Sequence, residues 1–443
     1  MFREARFNLA KTQSFRPTKK LQNPPSSFFR RILGRLGPGL ITGAADDDPS
    51  GIGTYSQVGA QFGYGMLWTV VFSYPLMSVI QEISARIGRV TGAGIASNIR
   101  RHYSKSVLYV IVALLLIANI CNLGADIDAM GAVANLLLPG PTGLYVLIFG
   151  AISLLLQILV PYSRYVHYLK WLTLVLFAYV ITSVVMREPK LAALHATFLP
   201  SISFHREYFT ALIAVLGTTI SPYLFFWQAS EEVEEVCTHT VQKPLLVAPE
   251  QGPVQLQRIR FDTYFGMAVS NLVAFFVILT AAATLHAHGI LDIQTASQAA
   301  KALEPLAGRF AFIVFALGII GTGLLAVPVL AGSAAYGVSE AFGWTASLQK
   351  KPRQAGRFYF TIGVATCIGI ALTFAHINPM KALFWSAVIN GIVAVPVMVI
   401  MMILTHNPKI MGKFILPPYL RWVGWLATVV MLFASLGLFF TSH

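Results

Sequence analysis

The chain has 443 residues, of which 56% are hydrophobic and only 11% are Asp, Glu, Lys or Arg. Soluble domains carry roughly 25% of these four charged types, so the composition excludes a soluble globular enzyme, a disordered chain and a coiled coil. It is typical of a polytopic membrane protein. Three cysteines are too few and too scattered for a disulfide framework.

A basic segment opens the chain: residues 1–38 contain nine Lys and Arg and one acid, Glu4. No apolar stretch of the signal-peptide kind follows these charges, so we expect residues 1–35 to be a disordered cytoplasmic tail. The remainder, 36–443, is predicted to be one transmembrane domain, because apolar runs of about 20 residues favour helices over barrel strands. The predicted segments number eleven: 36–61, 65–87, 107–137, 143–161, 168–186, 207–232, 262–286, 307–341, 357–375, 380–404 and 419–440.

The basic residues between these segments are distributed unevenly. If the N-terminal tail is cytoplasmic, 26 of the 32 Lys and Arg fall on the cytoplasmic side and the rest on the outer side. This follows the positive-inside rule, and inverting the chain would break it. We therefore expect an integral protein of a bacterial inner membrane, with a cytoplasmic N-terminus and an outer C-terminus. The net charge of +14 then reflects topology and contact with anionic lipid, not a nucleic-acid partner.

Two of the eleven segments contain a proline near the middle of the membrane. The first carries GAADDDPSG at 43–51, and the sixth carries GTTISPY at 217–223. Proline removes a backbone donor and clashes with the preceding turn, so each helix is predicted to break there. Because the breaks lie five helices apart, the second five helices enter from the opposite side. The pattern predicts an inverted repeat, 36–186 and 207–404, and an extra helix, 419–440, which is typical of secondary transporters with a midplane site.

Three consecutive carboxylates, Asp46, Asp47 and Asp48, stand within the first break. A charge at bilayer depth costs at least about 2.5–3.5 kcal/mol, and three charges together repel one another. A bound cation, protonation or water would relieve that cost; the alternative is a short loop in the membrane interface. We expect Asp48, which precedes Pro49, to anchor a cation. Asp46 and Asp47 would raise the local cation concentration or hold outer-shell water.

Backbone carbonyls near the two breaks complete the predicted site. A broken helix frees carbonyls at the negative end of its first half, and Ala45 and Thr218 stand near these ends. Ser221 adds a hydroxyl or carbonyl oxygen, and Gly51 leaves space for water. Neither break contains Met, Cys or His. A set of oxygen ligands alone suits hard cations such as Mg²⁺, Ca²⁺ or Mn²⁺.

Three stretches match a known family in their order and spacing. They are GPGLITGAADDDPSG at 37–51, QEISARIGRVTG at 81–92 and GTTISPYLFFWQA at 217–229. The chain thereby resembles the Nramp divalent-metal transporters over most of residues 36–404.

The resemblance implies an all-α, LeuT-type fold of the APC superfamily, with eleven helices of which the first and sixth are broken. It also implies a transporter rather than an enzyme, with no cofactor. The metal would lie between the two broken helices, bound by Asp48 and by the carbonyls of Ala45 and Thr218.

Four departures separate the chain from the family pattern. The family's metal-binding Asn is Gly51 here, its Met ligand is Ser221, and the His after the proline is Tyr223. An arginine linked to proton movement has no counterpart inside the ninth helix, where Arg357 stands only at the start. These losses resemble the Nramp-related magnesium transporters, which carry Mg²⁺ without tight proton coupling. Loss of the thioether removes discrimination against Mg²⁺, and smaller residues are expected to enlarge the cavity for a partly hydrated ion.

The sequence hypothesis is import of Mg²⁺, with or without Mn²⁺, by alternating access and with weak or no proton coupling. A proton-coupled Mn²⁺ or Fe²⁺ symporter is the first alternative, and a carrier of another small substrate on the same fold is the second. The divalent cation and the lipid bilayer are the expected partners. The oligomeric state stays open, and a monomer is compatible with the sequence.

Other polar residues within the apolar segments are candidates for the ion pathway or for weaker metal contacts. Of the two acids in the third helix, one is expected to face the pathway. These further candidates are Asp46, Asp47, Tyr223, Gln228, Asp126, Asp128 and Asn390.

Overall fold

Both predicted helix breaks are present, and each spans two residues. One helix ends at Asp46 and the next begins at Pro49. Another ends at Thr219 and the next begins at Pro222. Proline at the first position of a helix lacks only an N–H that would have no partner there, so it starts the second half while ending the first. The prediction of two broken helices is therefore confirmed.

The computed structural model describes residues 38–160, 172–185, 190–238, 241–375 and 377–440. The predicted tail, 1–35, lies outside these ranges. The longer helices are α1 (Pro38–Asp46), α2 (Pro49–Phe62), α3 (Leu67–Thr91), α4 (Ile95–His102), α5 (Lys105–Leu137), α6 (Thr142–Leu159), α7 (Phe177–Val185), α8 (Lys190–Phe198), α9 (Arg206–Thr219), α10 (Pro222–Thr238), α11 (Gly252–Thr284), α12 (Ala311–Phe342), α13 (Gly356–Thr373), α14 (Pro379–His406) and α15 (Pro418–Phe440). Short helical turns span Gly63–Met66, Leu172–Leu176, Pro249–Gln251, His286–His288, Ala296–Ala300, Lys301–Leu303, Glu304–Ala307, Gly308–Phe310, Pro408–Met411 and Gly412–Phe414.

Nine helical stretches among the described residues are long and apolar enough to cross a membrane. One of them, Pro49–Thr91, joins α2 to α3 through a 3-10 turn, so it covers parts of two predicted segments. The fifth predicted segment, 168–186, contributes the shorter apolar helix Leu174–Val185 and lies partly outside the described ranges. The all-helical architecture is confirmed, whereas the count of eleven spans stays a prediction.

Contacts at the two ends of α11 show which half-helices share a side. The Gly39 N–H at the start of α1 donates to Asp262 Oδ2 near the start of α11, at 2.7 Å. The Ala60 carbonyl near the end of α2 lies 2.7 Å from His286 Nδ1, just past the end of α11. The α1–α2 pair therefore runs parallel to α11, whereas α9–α10 ends where the chain turns back to begin α11. We call the side at which α1 begins the N side and the other the far side; α1 and α10 face the N side, and α2 and α9 face the far side.

Glycines let the half-helices approach their neighbours backbone to backbone. A Cβ added at Gly43 in α1 would lie 2.4 Å from the carbonyl oxygen of Gly266 in α11. A Cβ added at Gly217 in α9 would lie 2.1 Å from the carbonyl oxygen of Ala387 in α14. Neither approach is compatible with a side chain, so only glycine fits. As a result, α1 packs on α11, and α9 packs on α14, with no side chain between the backbones at these points.

Replacing Gly217 with alanine should destabilise the fold by pushing α9 away from α14. We expect Gly217→Ala to lower the thermal unfolding midpoint in detergent by several degrees, because overpacking costs about 1–3 kcal/mol. The matched control is Gly363→Ala in α13, where an added Cβ meets nothing within 4 Å. That control should be neutral or stabilising, and equal midpoints for the two variants would contradict the described packing.

Candidate metal site

Asp48 holds the start of α2 in place. It is the N-cap residue in an extended conformation, φ −72° and ψ 170°, and its Oδ1 accepts a hydrogen bond from the Gly51 N–H at 2.7 Å. The Ser50 hydroxyl donates to the same oxygen at 2.7 Å. Aspartate is among the most favourable N-cap residues, and Pro49 is favoured at the first helical position. The local sequence thus encodes both the break and the direction of the carboxylate.

The second oxygen of Asp48 faces two other helices. Its Oδ2 accepts a hydrogen bond from Asn122 Nδ2 in α5 at 2.9 Å, and from the Tyr223 hydroxyl in α10 at 3.3 Å. The same hydroxyl lies 3.1 Å from the carbonyl oxygen of Ala45. A phenol has one proton, so it donates to only one of these oxygens at a time. Tyr223 therefore gathers two predicted ligand atoms, Asp48 Oδ2 and the Ala45 carbonyl, around its own oxygen.

Ser221 occupies the second break. Its hydroxyl lies 2.6 Å from the carbonyl oxygen of Gly217 and 2.8 Å from that of Thr218. Carbonyls in the last turn of a helix lack the donors that a continuing helix would supply. Because a single hydroxyl proton is shared by two carbonyls, the Thr218 carbonyl keeps the capacity for a further partner. Ser221 and the Thr218 carbonyl thus lie together at the second break, and their place in the ligand set stays a prediction.

The neighbours of Gly51 leave little free space in this conformation. An added Cβ would lie 3.3 Å from the Asp46 carbonyl oxygen, 3.4 Å from Asp48 Oδ1 and 3.4 Å from the Tyr55 ring. The sequence predicts space for water beside Gly51, whereas in this conformation the Tyr55 ring and the Asp46 backbone carbonyl lie next to that position.

The central site residues are buried. Each is at most 2% exposed: Ala45, Asp48, Thr218, Ser221 and Tyr223.

Asp46 and Asp47 turn towards α11 instead of joining Asp48. Ser270 Oγ lies 2.5 Å from Asp46 Oδ2 and 3.1 Å from Asp47 Oδ1. The other oxygen of Asp46, Oδ1, is buried and has no hydrogen-bond partner among the described residues. In the described part of the chain, no three His, Cys, Asp or Glu side chains come together as a metal-binding group. The three consecutive carboxylates therefore have different surroundings, and a role for Asp46 and Asp47 near the ion stays a prediction.

Asp126 and Asp128 face different surroundings. Asp126 Oδ1 accepts a hydrogen bond from the Ser50 N–H at 3.1 Å, and the side chain is fully buried. Asp128 lines a cavity of about 280 Å³ between α5, α13 and α14, together with Lys381 and Trp385. Residues two apart on a helix do not share a face. Asp126 is thus the acid of α5 that contacts the first break.

Three polar residues of this network were missed by the sequence analysis: Asn122, Ser270 and Ser386. The Ser386 hydroxyl donates to Asn122 Oδ1 at 2.9 Å, so α14 is connected to Asp48 through Asn122. Asn122 was detectable, because it stands one helical turn before Asp126 and therefore on the same face of an apolar helix. The serines carry no such signal, since a serine within a helix can bond to its own backbone.

Gln228 and Asn390 are both buried, but their surroundings differ. Gln228 Oε1 accepts a hydrogen bond from the Thr42 hydroxyl, which joins α10 to α1. The Asn390 amide in α14 has no hydrogen-bond partner for Oδ1 or Nδ2 among the described residues. A place for Asn390 on the ion pathway stays a prediction.

The match to a known protein family covers nearly the whole described chain. The family model described as natural resistance-associated macrophage protein-like, Nramp, matches residues 39–441. The chain belongs to the Nramp family. Nramp proteins are membrane transporters and not enzymes, so the resemblance carried by the sequence motifs is confirmed.

Individual Nramp relatives and LeuT-type structures are similar over comparable lengths. The divalent metal cation transporter MntH of Klebsiella pneumoniae is 26% identical over 432 residues, which cover 94% of this chain and 96% of that protein. A crystal structure of the manganese transporter of Eremococcus coleocola is 17% identical, with a TM-score of 0.70 over 94% of this chain and 87% of that chain. MhsT in complex with L-phenylalanine is 13% identical, with a TM-score of 0.62 over 90% and 98%. The predicted LeuT-type fold is confirmed.

Removing the Asn122 amide should weaken metal binding at Asp48. Asn122→Ala deletes a hydrogen bond that orients Asp48 Oδ2, and loss of such a partner of a metal ligand typically costs about 10–100-fold in metal affinity. We expect the half-saturating metal concentration for transport to rise about tenfold or more. Asn119→Ala is the control, since that amide lies one turn earlier and donates to the Leu330 carbonyl at 3.0 Å. An equal rise in both variants would indicate general loosening of α5 instead.

Proposed function

We propose that this Nramp divalent metal transporter imports Mg²⁺ by alternating access, with weak or no coupling to protons. One observation carries the proposal: oxygen atoms from both broken helices come together, and residues 43–51 and 217–223 contain no Met, Cys or His that could supply a sulfur or nitrogen ligand. The Tyr223 hydroxyl lies 3.1 Å from the Ala45 carbonyl and 3.3 Å from Asp48 Oδ2. Carboxylate, carbonyl and hydroxyl oxygens with retained water are the ligands that suit Mg²⁺.

The position of the Tyr223 proton indicates where the ion would bind. In the described conformation the Tyr223 hydroxyl is the donor that Asp48 Oδ2 and the Ala45 carbonyl share, and Asn122 is a second donor to Oδ2 alone. An arriving dication takes over that place, and the phenol either turns aside or contributes its oxygen. The Thr218 carbonyl and the Ser221 oxygen, at the end of α9, would complete the set from the other broken helix. Because Mg²⁺ dehydrates reluctantly, the remaining positions would be filled by water.

The position of Arg357 at the start of α13 supports weak proton coupling. The interior of α13 carries no basic residue, and Arg357 at its start lies over the Trp344 ring, with 5.2 Å from its guanidinium carbon to the ring centre. A cation–π contact at the helix end holds this arginine away from the middle of the membrane.

The N side would be cytoplasmic, as the distribution of Lys and Arg predicts, and the ion would enter from the far side.

A proton-coupled Mn²⁺ or Fe²⁺ symporter is the alternative, and the names of the relatives support Mn²⁺ as its cargo. MntH of Klebsiella pneumoniae is named a divalent metal cation transporter, and the protein from Eremococcus coleocola a manganese transporter. An internal pH dye in liposomes separates the two functions. Acidification that requires the metal and rises in proportion to metal uptake would favour the symporter.

Uptake into proteoliposomes tests both the cargo and the site. We expect Mg²⁺ to enter, and Asp48→Asn to reduce entry to the level of empty liposomes, because the anionic ligand is lost. Glu250→Gln is the control, since it makes the same change of charge in a loop between α10 and α11. Entry of Mn²⁺ with neither entry of nor competition by millimolar Mg²⁺ would reject the proposed cargo. Undiminished uptake by Asp48→Asn would remove Asp48 from the site.

Adding a thioether at the second break should shift the preference towards Mn²⁺. We expect Ser221→Met to tighten Mn²⁺ binding about tenfold relative to Mg²⁺, because a soft ligand discriminates between these ions. Isothermal titration of both ions against the purified protein measures the ratio of the two affinities. Ser221→Ala is the control for loss of the hydroxyl that donates to the Gly217 and Thr218 carbonyls. A ratio that is the same in both variants would place residue 221 outside the ligand sphere.

A further inference from the structure

Two hydrogen bonds connect the broken helices in a pattern that repeats. Tyr55 stands six residues after Pro49, and its hydroxyl oxygen accepts a hydrogen bond at 2.8 Å from the Thr218 hydroxyl in α9. Gln228 stands six residues after Pro222, and its Oε1 accepts a hydrogen bond from the Thr42 hydroxyl in α1. Each contact joins the sixth residue after a break proline to a threonine in the first half of the other broken helix; Thr218 stands four residues before its proline and Thr42 seven. The two contacts therefore correspond in the half-helices that they join and in the positions of Tyr55 and Gln228, whereas the threonines differ by about one helical turn.

The contacts lie on opposite sides of the candidate metal site. The Tyr55–Thr218 contact joins α2 to α9, the two half-helices of the far side. The Thr42–Gln228 contact joins α1 to α10, the two half-helices of the N side. All four side chains are at most 2% exposed. Along the first broken helix Ala45 and Asp48 stand between Thr42 and Tyr55, and along the second Ser221 and Tyr223 stand between Thr218 and Gln228. An ion that leaves Asp48 towards either side would therefore pass one of the two contacts.

Each threonine has a second acceptor within its own helix. Thr218 Oγ1 lies 2.9 Å from the Val215 carbonyl, and Thr42 Oγ1 lies 2.8 Å from the Pro38 carbonyl. When the contact between helices opens, the threonine proton passes to that carbonyl, so the threonine is not left as an unpaired donor. An unpaired buried donor would oppose opening. The threonine of each contact therefore changes partner at low cost, and water that enters the opened side would pair with the Tyr55 hydroxyl or the Gln228 amide.

We propose that Tyr55–Thr218 and Thr42–Gln228 are the paired gate contacts of the transport cycle, one for each side. Opening to the far side breaks the first while the second holds, and opening to the N side does the reverse. The inference rests on the proposed function, in which an ion at Asp48 is reached from the two sides in turn. Both contacts are formed in the described structure, which is consistent with the burial of the site from both sides.

Two near-isosteric variants test the assignment by the sign of their effects. Tyr55→Phe keeps the ring and removes the far-side contact, whereas Thr42→Val removes the N-side contact. The apparent affinity for an ion added on one side scales with the fraction of protein open to that side. Tyr55→Phe should therefore lower the half-saturating concentration for ion added on the far side and raise it for ion added on the N side, each by roughly two- to tenfold. Thr42→Val should do the opposite.

The measurement uses the full chain in uniformly oriented proteoliposomes, with Mg²⁺ as the ion, or Mn²⁺ if the uptake assay rejects Mg²⁺. The double variant should return the ratio of the two half-saturating concentrations towards that of the unmodified protein. Controls are Tyr359→Phe, which loses a bond to the Lys350 carbonyl, and Thr366→Val, which loses one to the Ile362 carbonyl of its own helix. Both lie in α13, outside the broken helices, and should leave the ratio unchanged.

Shifts of the same sign in both single variants, or no shift in either, overturn the gate assignment. If Thr42→Val does not purify as a folded protein, Thr42→Ala removes the same hydroxyl and takes its place. Failure of the gate assignment is distinguishable from failure of the proposed function, because Asp48→Asn reports on the site alone. Abolished uptake in Asp48→Asn together with unshifted ratios would leave the site standing and reject the gates.

Discussion

The structure depends on satisfying the polar backbone of two helices that stop within the membrane. No water is available in the hydrocarbon region to pair with free N–H and C=O groups, so the protein must supply the partners. At the first break Asp48 accepts from the N–H of Gly51, and at the second Ser221 donates to the carbonyls of Gly217 and Thr218. A carboxylate used as a cap has a second oxygen to spare, and that oxygen is the one turned towards α5 and α10. The same side chain therefore caps the helix and, in the proposed function, would bind the ion.

The surroundings of Asp48 divide into two groups with different roles. Tyr223 and Ala45 belong to the broken helices, so their distance from the carboxylate changes when these half-helices move. Asn122 belongs to the long helix α5 and is bonded to Ser386 in α14. Asp48 Oδ2 therefore has two neighbours on the broken helices and one donor on a helix outside them. In the proposed function, Asn122 would keep the carboxylate in position while the neighbours on the broken helices move to release the ion.

The features that could be predicted are those that depend on residues close together in the sequence. The Asp48-Pro49 pair and the small residues around Pro222 determine the breaks through local backbone chemistry, and apolar length gives the helical fold. Partners that arrive from another helix could not be read in the same way. Ser270 contacts both Asp46 and Asp47, and this depends on how α11 packs against α1. The room expected beside Gly51 is bordered by Tyr55, a residue whose direction is set by the helix that follows the break.

The close approach of Gly43 to Gly266, and of Gly217 to Ala387, has a mechanical consequence. Helices that are in contact through their backbones resist sliding past one another. We therefore expect α1 with α11, and α9 with α14, to move as rigid bodies. Bending is then concentrated in the non-helical residues of the two breaks, which act as hinges. In the proposed function, the ion would lie beside these hinges, where the displacement of the half-helices is smallest. A rotation of the half-helices that is large enough to open a path at the membrane surface would therefore require only a small change in the distances between the ligand atoms.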